Sequence, residues 1–251
     1  MAVSLRLIAI AAAAFLGAPA FAAGPEQPQP RAVIELFTSQ GCSSCPPADA
    51  LMVELSKNSE LVPLTMPVTY WDYLGWKDTL GKDSFAKRQK LYSKARGDGQ
   101  VYTPQAVVNG VAHMIGSDKA EVARAMSEQM EAGLSARVSL AEDAGNLRIH
   151  VAPNGGDETT KGGIWLLPTT RLVTVPITRG ENQGKTISYV NVVRGLMRIA
   201  DWDGKDATVT VPLATTKAAE ADSYVVLVQA EKPGRYGQLP AAILGVARSA
   251  P

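Results

Sequence analysis

Apolar and polar positions alternate along this chain in two textures, which meet near residue 134. Before that point strand-like apolar runs alternate with helical patterns. Arg31 to Phe37 is a short run rich in branched and aromatic residues, the mark of a buried strand. Thr38 to Gly41 is a turn. From Ser44 to Lys57 the period becomes helical, with Ala48, Leu51, Met52 and Leu55 on one face. Pro46 and Pro47 suit a first turn, where no intrahelical partner awaits their missing N–H groups. Leu64 to Trp71 is a second strand, interrupted by Pro67. An aromatic loop follows from Asp72 to Asp78, then a helix to Ala95 and a break at Gly97-Asp98-Gly99. Thr103 to Val108 and Val111 to Ile115 form a hairpin about Asn109-Gly110, the dipeptide that best accepts positive φ at both turn positions. Ser117 caps a helix over 118–131. After Gly133 only short alternating runs remain: 137–140, 147–151, 164–167, 172–175, 186–199, 207–213, 224–228 and 242–246. Gly, Pro, Asn and Asp separate them, which predicts a β-sandwich.

The first residues break this scheme. Arg6 precedes an apolar core from Leu7 to Leu16, and Ala20-Phe21-Ala22 satisfies the small-x-small rule for cleavage before Ala23. Ala18-Pro19-Ala20 is a second, poorer site. The core is short of the ~20 residues that span a bilayer, so it reads as a secretory signal and not as an anchor. The expected organisation is therefore a signal peptide (1–22), a proline-rich leader (23–30), an α/β domain (31–133) and an all-β domain (134–251), with no membrane span after cleavage. A periplasmic or secreted location follows. The chain has 251 residues, 46% hydrophobic and 20% charged, with a formal net charge of +1. That near-neutral balance, with no basic run, offers nucleic acid no electrostatic purchase.

Export sharpens the meaning of the two cysteines, Cys42 and Cys45, the only ones in the chain. In an oxidising compartment an isolated pair tends to be oxidised. A stabilising bridge closes a long loop, whereas this one would enclose only Ser43 and Ser44. The order strand, turn, Cys-x-x-Cys, helix puts Cys42 at a helix amino end, where the dipole favours a thiolate. Cys42 is then the nucleophile and Cys45 the resolving thiol. A zinc site would need four ligands, and the two histidines, His113 and His150, fall in different predicted domains; no metal is expected. Nor is a soluble cofactor, because the sulfur pair carries the electrons.

Residues 31–132, with Cys42-Ser43-Ser44-Cys45 followed by Thr103-Pro104 at a hairpin, resemble the thioredoxin superfamily. That resemblance implies a thioredoxin-like domain in which Pro104 follows a cis peptide bond beside the cysteines and Thr103 pairs with the substrate backbone. Three departures stand out: Gly41 replaces a tryptophan, Ser43-Ser44 replaces Gly-Pro, and Glu35 is one residue further from Cys42 than the superfamily's buried acid. The segments 35–49, 70–76 and 179–182 (Arg179 to Asn182) are also similar to a secreted bacterial family known as a domain of unknown function, which joins a thioredoxin-like domain to a β-rich one. Glu35 would be a modulator of the thiols or a strand-edge charge; Asp49, one turn beyond Cys45, a modulator or a solvated helix charge. The implied activity is thiol–disulfide exchange with protein or small-molecule thiols and disulfides through an unknown redox partner. The alternatives are a non-catalytic thioredoxin-like binding module, or a copper carrier using the cysteines with His113 or Met114.

Overall fold

The fold is known from a computed structural model, which describes residues 29–155, 160–235 and 237–250. The proposed signal peptide lies outside the described residues, as do positions 23–28 of the leader. No helix among the described residues is long and apolar enough to cross a membrane.

The first half runs β1 (Ala32–Thr38), α1 (Pro46–Leu55), β2 (Leu61–Pro67), α2 (Asp83–Arg96), β3 (Gln105–Val108), β4 (Ala112–Ile115) and α3 (Lys119–Ala132). β1 pairs parallel with β2 and antiparallel with β3, so the two faces of β1 diverge by simple alternation. Ala32, Ile34 and Leu36 pack under α1 and α3 with Ala48, Leu51, Met52 and Val122. Val33 and Phe37 point the other way, toward Phe85 and Tyr92 of α2.

The second half is β5 (Ala136–Asp143), β6 (Asn146–Pro153), β7 (Gly162–Pro176), β8 (Thr186–Val193), β9 (Met197–Trp202), β10 (Ala207–Pro212), β11 (Ser223–Gly234) and β12 (Gly237–Arg248). The expected 164–167 and 172–175 runs are the two ends of one long strand, β7. Its first part pairs with β11 and β9, its last part with β8. β8 then lies parallel beside β2, with Thr65 opposite Val192. The result is a nine-stranded mixed sheet, β12-β11-β7-β8-β2-β1-β3-β4, with β9 on β7. A three-stranded sheet, β10-β6-β5, covers part of it through Val138, Leu147, Ile149 and Val151 against Ile164, Leu166 and Val226.

This arrangement corrects the expected fold class, a thioredoxin-like α/β domain followed by an all-β, sandwich-like domain. Among the described residues the protein is mainly β, with 45% strand against 21% helix and three α-helices, and its large sheet curls through both halves of the chain. The 133/134 point falls between α3 and β5, yet the sheet does not end there. The cause is the β2–β8 pairing, a long-range contact with no local signature. Thr65 Oγ1 donates to the Val190 carbonyl (2.7 Å) and Asn191 Nδ2 to the Pro63 carbonyl (2.9 Å) across this seam.

The curl brings β12 back to the β3–β4 turn. Ile243 N donates to the Asn109 carbonyl at 2.8 Å. Gly110 has φ +74°, and a Cβ there would stand 2.3 Å from the Ala241 carbonyl oxygen. Gly110→Ala therefore combines left-handed strain with a backbone clash and should cost about 2 kcal/mol or more. A denaturant midpoint would show it, and an unchanged midpoint would mean that the turn and β12 do not meet.

Candidate redox site

Cys42 and Cys45 form a disulfide, with Cα atoms 5.4 Å apart. Cys45 is wholly buried and Cys42 is 3% exposed, while the intervening Ser43 and Ser44 are exposed. Cys45 is the residue that caps α1. The helix starts at Pro46, slightly later than the pattern predicted, and this alters the chemistry. Its first two residues are prolines and carry no N–H. The next two amides, of Ala48 and Asp49, already donate to the Cys45 carbonyl at 2.9 and 3.1 Å. The helix end thus keeps its dipole but has few amides to offer a Cys42 thiolate. The Ser44 hydroxyl, 3.4 Å from Cys42 Sγ, is a local donor.

The loop before the cysteines is held by side chains from distant segments. Asp78 Oδ2 accepts from Gln40 N at 2.8 Å and its Oδ1 from Leu80 N at 2.8 Å. Burial pushes the Asp78 carboxyl up to about 6, against the pull of these amides and with a further push from Asp72. Trp76 Nε1 donates to Gln40 Oε1 at 2.7 Å. Asn182, from the loop between β7 and β8, donates through Nδ2 to the carbonyls of Gln40 (2.9 Å) and Cys42 (2.8 Å).

Thr103 is tied to Trp71, which in turn packs against Gly41. The Thr103–Pro104 peptide is cis. Trp71 Nε1 donates to Thr103 Oγ1 at 2.7 Å. A Cβ on Gly41 would lie 3.2 Å from both Trp71 Cβ and the Trp71 carbonyl oxygen, so the glycine before Cys42 is what lets Trp71 settle there. Tyr73, 76% exposed, stacks on Trp71 with ring centroids 6.2 Å apart.

Glu35 and Asp49 part company. Glu35 points to the α2 face of the sheet, opposite α1. There Arg88 Nε donates to its Oε1 at 2.6 Å, and the Tyr92 hydroxyl donates to Oε2. It is one member of a buried framework that Gln229 completes, and not a neighbour of the cysteines. Asp49 is buried on α1, one turn along the helix from Cys45, at the spacing where side chains four apart are neighbours. Neither of its oxygens, nor the Thr38 hydroxyl, nor the Tyr189 hydroxyl has a partner at full hydrogen-bonding geometry. Burial pushes the Asp49 carboxyl up to about 8; the Thr38 hydroxyl draws it part of the way back and Asp78 pushes it further. Tyr189 of β8 is raised too, by burial and then by the charges of Asp49 and Asp78. A carboxyl in this setting is neutral at pH 7.

His113 and Met114 do not join this group. His113 faces the α2 side, with Nε2 3.2 Å from Asp98 and Nδ1 3.1 Å from the Tyr102 hydroxyl, while Met114 packs in the α1–α3 core. Among the described residues no cluster of three His, Cys, Asp or Glu could hold a metal ion. Sequence reasoning missed Gln40, Asp78, Tyr189 and the grip of Asn182. Asp78 and Tyr189 carried no motif; Gln40 lay within the family-like 35–49 segment, and Arg179, Glu181 and Asn182 were read as building a loop or docking the two domains.

Fold and site together define a mainly β protein with a mixed sheet and a buried Cys-x-x-Cys disulfide at the head of its first helix. The chain belongs to the family described as a protein of unknown function (DUF1223), whose profile matches residues 33–229. It is similar in structure to protein AGR_C_4864 from Agrobacterium tumefaciens, known from an X-ray crystal structure, with a TM-score of 0.74 and 33% identity over 89% of this chain and 95% of that one. No curated protein matches it in sequence. The match supports the expected membership of a family of unknown function, while the likeness to the thioredoxin superfamily gains no support from it.

Proposed function

We propose that the protein is a thiol–disulfide oxidoreductase of the bacterial periplasm, acting on protein or small-molecule thiols and disulfides. The observation that carries this reading is the Cys42–Cys45 disulfide itself: it closes only two intervening residues, yet side chains from two other segments, Trp76 with Asp78 and Asn182, hold the loop that leads into it. A stabilising bridge of this span contributes little chain entropy. The periplasmic setting rests on the N-terminal pattern of Arg6, Leu7 to Leu16 and Ala20-Phe21-Ala22.

In the reducing direction for the protein, a substrate thiolate attacks Cys42 Sγ and the Cys42–Cys45 bond breaks. Cys45 leaves as a thiolate and takes a proton from neutral Asp49. A second substrate thiolate then attacks the mixed disulfide, frees Cys42 and leaves the substrate oxidised. In reverse, the Asp49 carboxylate removes the Cys45 proton so that Cys45 can resolve the mixed disulfide. Thr103 and Pro104, beside Trp71, shape the approach to Cys42.

Cys45→Ser leaves Cys42 able to form mixed disulfides that cannot resolve, so partners should accumulate as covalent adducts that dithiothreitol releases. Purified wild-type protein should reduce or oxidise a model disulfide peptide, and Cys42→Ser should not. If no adduct forms and the wild-type protein leaves the peptide unchanged, the reading fails.

A further inference from the structure

The loop between β7 and β8 is built to reach the disulfide. Ile177 and Gly184–Lys185 close its base, with Gly184 N donating to the Ile177 carbonyl (2.8 Å) and Ile177 N to the Lys185 carbonyl (2.9 Å). Gly180, at φ +76°, lies against Trp76, where a Cβ would come within 3.1 Å of the Trp76 Cβ. At the tip, Asn182 is completely buried. Both of its amide hydrogens go to the carbonyls of Gln40 and Cys42, and its Oδ1 accepts from Lys185 Nζ at 2.8 Å. The residue before it, Glu181, is exposed and brings Oε2 to 3.3 Å from Ser43 N.

Ser43 N belongs to the peptide unit that leaves Cys42. The prolines at the head of α1 have already removed two amide donors, so this N–H is one of the few positive groups next to Cys42. Glu181 occupies it and sets its carboxylate on the amide that directly follows Cys42.

We propose that Glu181, placed by Asn182, tunes the Cys42–Cys45 couple by disfavouring the Cys42 thiolate, and so lowers its reduction potential. Asn182 is a positioning residue: it fixes the Cys42 carbonyl and, through the chain, the Glu181 carboxylate. This deepens the oxidoreductase reading and rests on it for its biological meaning. The couple itself can be measured with dithiothreitol whatever the natural partner, so the two ideas fail separately.

Equilibration of the full chain with dithiothreitol redox buffers should show Glu181→Gln displaced toward the dithiol by about threefold to tenfold, tenfold being about 30 mV for a two-electron couple. Glu181 is exposed, so the oxidised variant should melt like the wild type. Asn182→Ala should shift the equilibrium the same way, and Glu181→Gln should add nothing to it, since the carboxylate is no longer held in place. Gln183→Ala, an exposed neighbour in the same loop, should leave the equilibrium unchanged. An equilibrium for Glu181→Gln equal to that of the wild type overturns the proposal, as does a Glu181→Gln effect that persists undiminished with Asn182→Ala. Absence of any trapped thiol partner, together with a model disulfide peptide left unchanged, would instead sink the oxidoreductase reading.

Discussion

Arg88→Met should lower the unfolding free energy by about 3–5 kcal/mol, the range for removing one partner of a buried ion pair. Arg88 donates from Nε to Glu35 (2.6 Å) and from its terminal nitrogen to the Tyr92 hydroxyl (2.8 Å) and Gln229 Oε1 (2.9 Å). Gln229 Nε2 in turn donates to the Tyr92 hydroxyl and to the Ala241 carbonyl, at 2.8 and 2.9 Å. Burial alone would lower the Arg88 pKa, but the Glu35 and Tyr92 oxygens hold it above its ordinary value. Methionine fills much of the arginine's volume and supplies none of these bonds, so a fully buried carboxylate stays behind with Tyr92 alone. Adding Glu35→Gln removes that stranded charge and should restore a large part of the loss. Urea midpoints at neutral pH, with the disulfide kept oxidised, give both values. A single-variant loss below about 1 kcal/mol would place the pair with exposed salt bridges and contradict its burial.

Asp49→Asn should abolish a dependence of stability on pH that the wild type carries. The unfolded chain holds this carboxyl near its ordinary 3.8, the folded chain near 8. Between those values the native state binds a proton that the unfolded state has released. The stabilisation is complete below 3.8, declines across the window and is gone above 8. At about 1.36 kcal/mol for each unit of pKa difference, the variant should gain on the wild type by several kcal/mol between about pH 4 and pH 9. Paired urea titrations at the two ends read this directly. A constant difference would mean that Asp49 ionises normally in the fold. Under the proposed thiol–disulfide exchange, the same substitution would also remove the proton source for Cys45, so turnover at neutral pH should fall while Cys42 still forms its first mixed disulfide.

These two carboxylates also show what the sequence could convey. Both were visible as candidates near the cysteines, and neither could be assigned. Asp49 sits on a helix whose apolar residues mark its buried face, but whether the i+4 position beyond Cys45 is solvated depends on β8 packing over α1, from a segment more than a hundred positions away. Glu35 could be told from Asp49 only by the parity of β1, and parity names a face without saying what covers it. Element by element the reading was close. β1, α1, α3, the Asn109-Gly110 hairpin, β5, β6 and β10 lie within a few residues of the apolar runs that announced them, whereas the single 186–199 run is two strands, β8 and β9, and β11 and β12 run well past their expected ends. Local periodicity and turn chemistry govern these features. Sheet order does not follow from them: nothing in residues 186–193 states that they pair with β2 and not with a strand of their own half. The two textures meeting near 134 were therefore taken for two folds, whereas one sheet runs through both.

The seam between β2 and β8 also sets an order of events as the chain is made. While residues 32–132 are emerging, β2 has one unpaired edge, Arg88 lacks Gln229, and the Cys42 carbonyl lacks Asn182. Each partner is synthesised in the last third of the protein. Contacts of such sequence separation form slowly and leave an open strand edge in the interval. A nascent chain released early would thus display reactive cysteines on an unframed loop beside an adhesive strand. The finished protein buries both.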